Sequence, residues 1–193
     1  MLARLHGLES DKMEGLPNSD ARGELDKYTQ ILRAHGHPHP VFELAIRWLA
    51  DNVPPSQARC LVHGDFRLGN LMVTPENGVV AILDWDLAHI GDPMEDLGWP
   101  CVPSWRFGQH QNPVGGFGQR EDFYAAYEAA GGTIDRAAVR FWEILGTLKW
   151  GIMCTMMATA FTSGADRTVE RAAIGRRASE TEIDLLRMLE GLD

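Results

Sequence analysis

At 193 residues, with 45% hydrophobic and 23% charged side chains, the chain has material for one soluble globular domain with a real core. A formal net charge of −9 argues against a broad phosphate-binding surface, so nucleic acid is not an expected partner, while a local basic pocket for a small phosphate stays open. Cys60, Cys101 and Cys154 are far apart and in no zinc or CxxC spacing, and they read as reduced thiols of a cytoplasmic protein.

The first residues, MLARLHGLES, contain no apolar run suited to a signal peptide. Leu2, Leu5 and Leu8 recur at helical spacing with no capping residue before them, as in the tail of a helix that starts upstream. Residues 9–20 read as a polar loop, and RGELDKYTQILRAHG as a helix stopped by Gly36. HPHPVFELAIRWLADNVPP holds a second helix, with Val41, Leu44, Ala45, Trp48 and Leu49 on one face and Pro54 and Pro55 at its end. ARCLVHG is a short apolar run. LMV and VVAIL, joined by TPENG, predict a small β-hairpin.

A short helix is expected over Met94–Trp99. Residues 100–118 are rich in Gly, Pro and Trp without periodicity, and read as a long surface loop of the kind that serves as a lid. Helices are expected at about 120–130, 136–162 and 167–190, the last capped by Thr168. Ile144–Phe161 is apolar but for Lys149, and a lysine midway along a span is costly in lipid, so a buried core helix is expected rather than a membrane helix. The sum is a mainly α chain with a small β-hairpin, α+β, in a single domain over residues 1–193.

Chemistry concentrates in HGDFRLGN, residues 63–70. Asp65 is followed five residues later by Asn70, then by the hairpin, then by Asp84-Trp85-Asp86. A hairpin brings its ends together, so Asn70 before the first strand is expected near Asp84 after the second. An amide oxygen and a carboxylate converging this way suit Mg²⁺, a hard ion that keeps several waters. Asp65 on the same loop can orient or deprotonate a hydroxyl nucleophile. Phosphoryl transfer uses that set, and the Asp-to-Asn interval equals the one in the protein-kinase motif H-R-D-x-x-x-x-N, with Gly64 in place of the arginine.

The ordered set LVHGDFRLGNLMV, VVAILDWDLAHIGDPMEDLGW, with SWRFG, PVGGFG and IGRRASETEIDLL, resembles the aminoglycoside phosphotransferase and choline-kinase-like family. Within it, the chain is most similar to the kinase-like domains found beside acyl-CoA dehydrogenases. The resemblance implies the C-terminal lobe of a protein-kinase-like fold, with the N-terminal ATP-covering lobe absent. It implies Asp65 as catalytic base, Asn70 and Asp84 as magnesium ligands at the ATP or GTP site, and Asp96 as a buried brace of the loop. Arg67 stands where kinases place a phosphate-contacting lysine, and His63 supports the loop. Asp86 either backs the metal or faces substrate.

The implied activity is transfer of the γ-phosphate to a hydroxyl of a small molecule, expected to be weak or absent without the other lobe. The competing readings are a catalytically incompetent lobe that serves as an interaction module, and a phosphohydrolase built on Asp84 and Asp86. A separately encoded N-lobe, or self-association through exposed leucines of the first helix, are the expected protein partners; neither nucleic acid nor membrane is. The histidines of HGHPHP match no metal-ligand spacing, GGFG at 115–118 lacks a Walker lysine, and Arg176-Arg177 reads as a solvated or salt-bridged helix face. Trp142 and Trp150 read as core, whereas Trp105 is placed equally well in the core or beside substrate.

Overall fold

Apolar residues at three- and four-residue intervals make helix the dominant structure. The computed structural model describes residues 1–9, 13, 15–55 and 59–192, so residues 10–12 and 14 of the expected polar loop, and Ala58 of the apolar run, lie outside the described residues. In chain order the elements are α1 (Leu2–His6), α2 (Ala21–His35), α3 (Pro40–Asp51), β1 (Cys60–Val62), β2 (Leu71–Thr74), β3 (Gly78–Ile82), β4 (His89–Gly91), α4 (Met94–Gly98), α5 (Arg120–Ala129), α6 (Arg136–Ser163), α7 (Val169–Gly175) and α8 (Ala178–Glu190). The chain divides into two compact units, Met1–Ala21 with Pro54–Glu143, and Arg22–Val53 with Ile144–Asp193.

The first unit contains both two-stranded sheets. β2 and β3 form the expected hairpin, in register from Leu71↔Ile82 to Thr74↔Gly78 with an irregularity between Met72 and Val73. β1 pairs antiparallel with β4, Cys60 facing Gly91 and Val62 facing His89. Sequence reading missed this second ladder, because three-residue strands buried throughout show no alternation. Ser19 N–H donates to Ile90 and Ile90 N–H to Pro17, so residues 17–19 run beside β4. Leu2 and Leu5 of α1 are buried and only Leu8 is exposed, which corrects the expectation of an exposed leucine face.

Residues 100–118 are only in part the expected surface loop: residues 107–111 and 117 are exposed, while the start of the segment is folded in. The segment begins with two short 3-10 turns, Trp99–Cys101 and Pro103–Trp105, and every residue from Pro100 to Arg106 is buried. Backbone bonds fold the rest onto this base: Gly115 N–H donates to Pro100, and Val114 and Gly118 form a bridge. Arg106 donates to the carbonyl of Cys101 and to Glu143, 3.0 Å away, and Arg120 reaches the same Glu143 oxygen at 2.6 Å. α4 lies close against the start of α6, and a Cβ on Gly98 would come within 2.8 Å of the Glu143 amide.

In the second unit, α3 buries Phe42, Ala45, Ile46 and Leu49, spaced i, i+3, i+4, i+7. That face is turned from the expected one: Leu44 is exposed and Val41 and Trp48 are half-buried. The helix expected over 167–190 breaks at Arg176-Arg177 into α7 and α8, with Thr168 Oγ1 accepting from Arg171 N–H at the start of α7. α6 is long and apolar enough to cross a membrane by length and composition, yet 56% of its most apolar window is buried in the fold. Its Lys149 is buried with the ammonium 5.7 Å from the Tyr28 ring centre.

Candidate active site

β1 delivers the chain into the loop at His63, and α4 holds it there. The fully buried Asp96 carboxylate accepts from the backbone amides of His63 (2.7 Å) and Gly64 (2.9 Å). His6 of α1 places Nε2 3.2 Å from the same carboxylate and Nδ1 2.7 Å from the Tyr127 hydroxyl. The arrangement that matches every partner has Tyr127 O–H donating to Nδ1 and Nε2–H donating to Asp96. One carboxylate thus ties α1, α4 and the loop together.

His63 is fully buried, with Nδ1 3.2 Å from the Asp65 amide and Nε2 3.0 Å from the Leu83 carbonyl. Because the amide can only donate, Nδ1 is the acceptor and Nε2 carries the proton. This neutral tautomer spans from the loop to the end of β3. The Trp85 ring packs edge-on against the imidazole at 4.7 Å, and its indole donates to Ile82. His63 therefore braces the loop and offers no free nitrogen for base chemistry.

Asp65 follows, with 15% of its side chain exposed. Its Oδ1 accepts from the Trp99 indole at 2.6 Å and from Arg67 Nε at 3.1 Å, and its Oδ2 accepts from Asn70 Nδ2 at 2.6 Å. Asn70 Nδ2 also donates to the Asp65 carbonyl at 2.9 Å. With its nitrogen fixed twice on the loop, the amide turns its oxygen away as an acceptor. The Arg67 guanidinium stacks 5.1 Å from the Trp105 ring centre, and Trp105 leans on Trp99 at 5.4 Å. Trp105 thus belongs to the core as well as to the edge of the site.

The hairpin joins the two ends of the motif. Leu83 N–H donates to the Asn70 carbonyl at 2.8 Å, immediately beyond the Leu71↔Ile82 pair and immediately before Asp84. Asp84 is exposed at φ 64°, a left-handed conformation uncommon for side-chain-bearing residues and tolerated better by Asp than by most. Among the described residues it makes no hydrogen bond or ion pair, and neither does the exposed Asp86. No cluster of three His, Cys, Asp or Glu occurs among the described residues. Asn70 and Asp84 carry oxygen donors of the kind a hard cation such as Mg²⁺ takes, alongside water and phosphate.

Of the residues named from sequence, His63, Asp65, Arg67 and Asn70 share the loop with Asp96 beneath it, joined by hydrogen bonds, while Asp84 and Asp86 follow the hairpin whose foot bonds to Asn70. Trp99, Trp85 and His6 were missed as partners of the loop. Trp99 had a signal, since it follows Asp96 by three residues and a helical turn puts both on one face. His6 had none, lying 90 residues from Asp96 in sequence. The histidines of HGHPHP make separate contacts, His35 with Thr159 and His39 with Glu182, and Arg177 pairs with Glu180.

A mainly helical lobe that presents a braced Asp-x-x-x-x-Asn loop and a hairpin ending in Asp84 has the fold of the kinase-like phosphotransferases. The chain belongs to the phosphotransferase enzyme family (APH), whose profile matches residues 1–142. It is similar to acyl-CoA dehydrogenase family member 11 of Pongo abelii, 30% identical over 141 residues, which cover 65% of this chain and 18% of that protein. Among solved structures it superposes on an aminoglycoside phosphotransferase homologue from Ralstonia eutropha with a TM-score of 0.81 at 22% identity, covering 98% of this chain and 62% of that one. Spectinomycin phosphotransferase APH(9)-Ia, solved with ADP and spectinomycin, matches with a TM-score of 0.66 at 13% identity, over 97% of this chain and 62% of its own. The chain thus spans less than two thirds of either structure and under a fifth of the dehydrogenase.

Proposed function

We propose that the chain carries the catalytic lobe of a Mg²⁺-dependent phosphotransferase that moves the γ-phosphate of ATP or GTP to a hydroxyl of a small molecule. The observation that carries this reading is the pairing of a held carboxylate, Asp65, with the Asn70 amide, whose nitrogen is engaged on the loop, at the foot of the hairpin that ends in Asp84. Asp65 would orient the acceptor hydroxyl and take its proton; Arg67 would lie beside the transferred group. Asn70 and Asp84 would hold the cation, which neutralises phosphate charge when bound. Asp96 and His63 keep the loop in place and touch no reactant. ADP in the spectinomycin phosphotransferase structure supports a nucleotide co-substrate.

The test is phosphoryl transfer from Mg-ATP or Mg-GTP to a panel of aminoglycosides, macrolides and choline-like alcohols, followed by ³¹P NMR. Turnover is expected to be weak for this chain alone and to vanish in Asp65→Ala with the fold intact. Turnover that survives in Asp65→Ala would show that the base is elsewhere. A second reading, an interaction module that binds no nucleotide, draws on the full engagement of Asp65 by its own neighbours. Calorimetric binding of Mg-ATP in the micromolar range would count against it.

A further inference from the structure

The two oxygens of Asp65 are held unequally. Oδ1 takes two donors, the Trp99 indole at 2.6 Å and Arg67 Nε at 3.1 Å. Neither can accept a hydrogen bond: an indole N–H donates only, and a guanidinium keeps its protons at any ordinary pH. Oδ2 has one donor, Asn70 Nδ2, and that amide has a second acceptor in the Asp65 carbonyl at 2.9 Å. Asn70 can therefore release Oδ2 while keeping a hydrogen bond, whereas Oδ1 stays saturated.

We propose that Trp99 is a positioning residue for phosphoryl transfer, anchoring Oδ1 of Asp65 so that Oδ2 alone receives the proton. The proposal rests on the phosphotransferase reading above. In the step, the acceptor oxygen bonds to the γ-phosphorus and the bond from that phosphorus to the β,γ-bridging oxygen breaks, leaving the nucleoside diphosphate. The hydroxyl proton passes to Oδ2. A proton on Oδ1 would face two donors with nothing to accept it, so the neutral acid carries its hydrogen on Oδ2. Trp99 fits the task because it is buried on α4's continuation, three residues from the Asp96 that holds the loop backbone. Trp105 backs the clamp, its ring tilted against Trp99 and lying under the Arg67 guanidinium.

The ¹H–¹⁵N spectrum of the chain gives one indole signal for each of its six tryptophans. The signal lost in Trp99→Phe identifies Trp99. In Asp65→Asn, that signal is expected to move upfield further than the other five, because a charge-assisted bond becomes a neutral one. The five others staying in place shows that the variant is folded; Asp65→Glu serves as a second variant should Asp65→Asn not fold. A Trp99 signal indifferent to the residue at 65 would overturn the anchoring. In transfer from Mg-ATP, Trp99→Phe is expected to lower kcat by up to about a hundredfold with KM values held, the effect of a misplaced base. An unchanged kcat would overturn the positioning role. Absence of both Mg-ATP binding and transfer in the parent would strike the phosphotransferase reading instead, and the spectrum, which needs no turnover, would still decide the anchoring.

Discussion

Gly64 sits at φ 79°, and a Cβ there would lie 2.6 Å from the carbonyl oxygen of Leu87. Both facts forbid a side chain, which explains why this loop has glycine where protein kinases have arginine: the segment after Asp84 crosses too closely. Gly64→Ala is expected to cost about 2 kcal/mol or more, read as a lower urea midpoint at unchanged slope. A midpoint equal to the parent's would mean that Leu87 moves aside freely. The loop was the most legible part of the sequence, because Asp65, Asn70 and Asp84 are separated only by a loop and a hairpin whose geometry is local. The partners that fix Asp65 were less so. Trp99 and His6 reach the loop through tertiary packing, which spacing does not encode.

At the scale of elements, the long helices and the hairpin were readable from periodicity and turn residues, while the buried start of 100–118 was not. Its composition is that of a loop, and composition does not reveal that Arg106 is folded inward onto Glu143. Glu143 is 2% exposed in its side chain and faces Arg106, 6% exposed, and Arg120, 25% exposed. Removing one partner of a buried ion pair leaves the other charged and without compensation. Glu143→Gln is therefore expected to lose about 3 kcal/mol of stability. The comparison is Glu121→Gln, beside Arg120 in the first turn of α5. Glu121 pairs with Arg136 at the surface, where solvent screens both charges, so its loss should leave the denaturation midpoint almost unmoved. Equal midpoints for the two variants would show that burial of Glu143 adds nothing.

Over the whole molecule, composition pointed to reduced thiols, and the fold surrounds them in a way that disfavours the thiolate. Cys60, Cys101 and Cys154 are all buried, the first two in one unit and the third in the other. Burial pushes the thiols of Cys60 and Cys101 up to about 12, helped by the carboxylates of Asp96 and Asp92 near the first and of Glu143 near the second; Cys154 is pushed up to about 11. Burial also raises Tyr124 and Tyr127 above the ordinary phenol range. An unfolded thiol titrates near 9, so below that value both states hold their protons and stability does not depend on these groups. As pH rises further the unfolded chain releases protons that the folded chain keeps, and stability falls through the window up to about 12. The urea midpoint is thus expected to be level from about pH 7 to 8.5 and to drop steadily above 9, with a shallower drop in Cys101→Ala. Iodoacetamide at about pH 8 should leave all three thiols unlabelled in the folded chain and label all three in urea, since the thiolate is the reacting form. Rapid labelling of Cys101 in the folded chain would show that the base of the 100–118 segment opens to solvent, and the alkaline slope assigned to that thiol would then be missing as well.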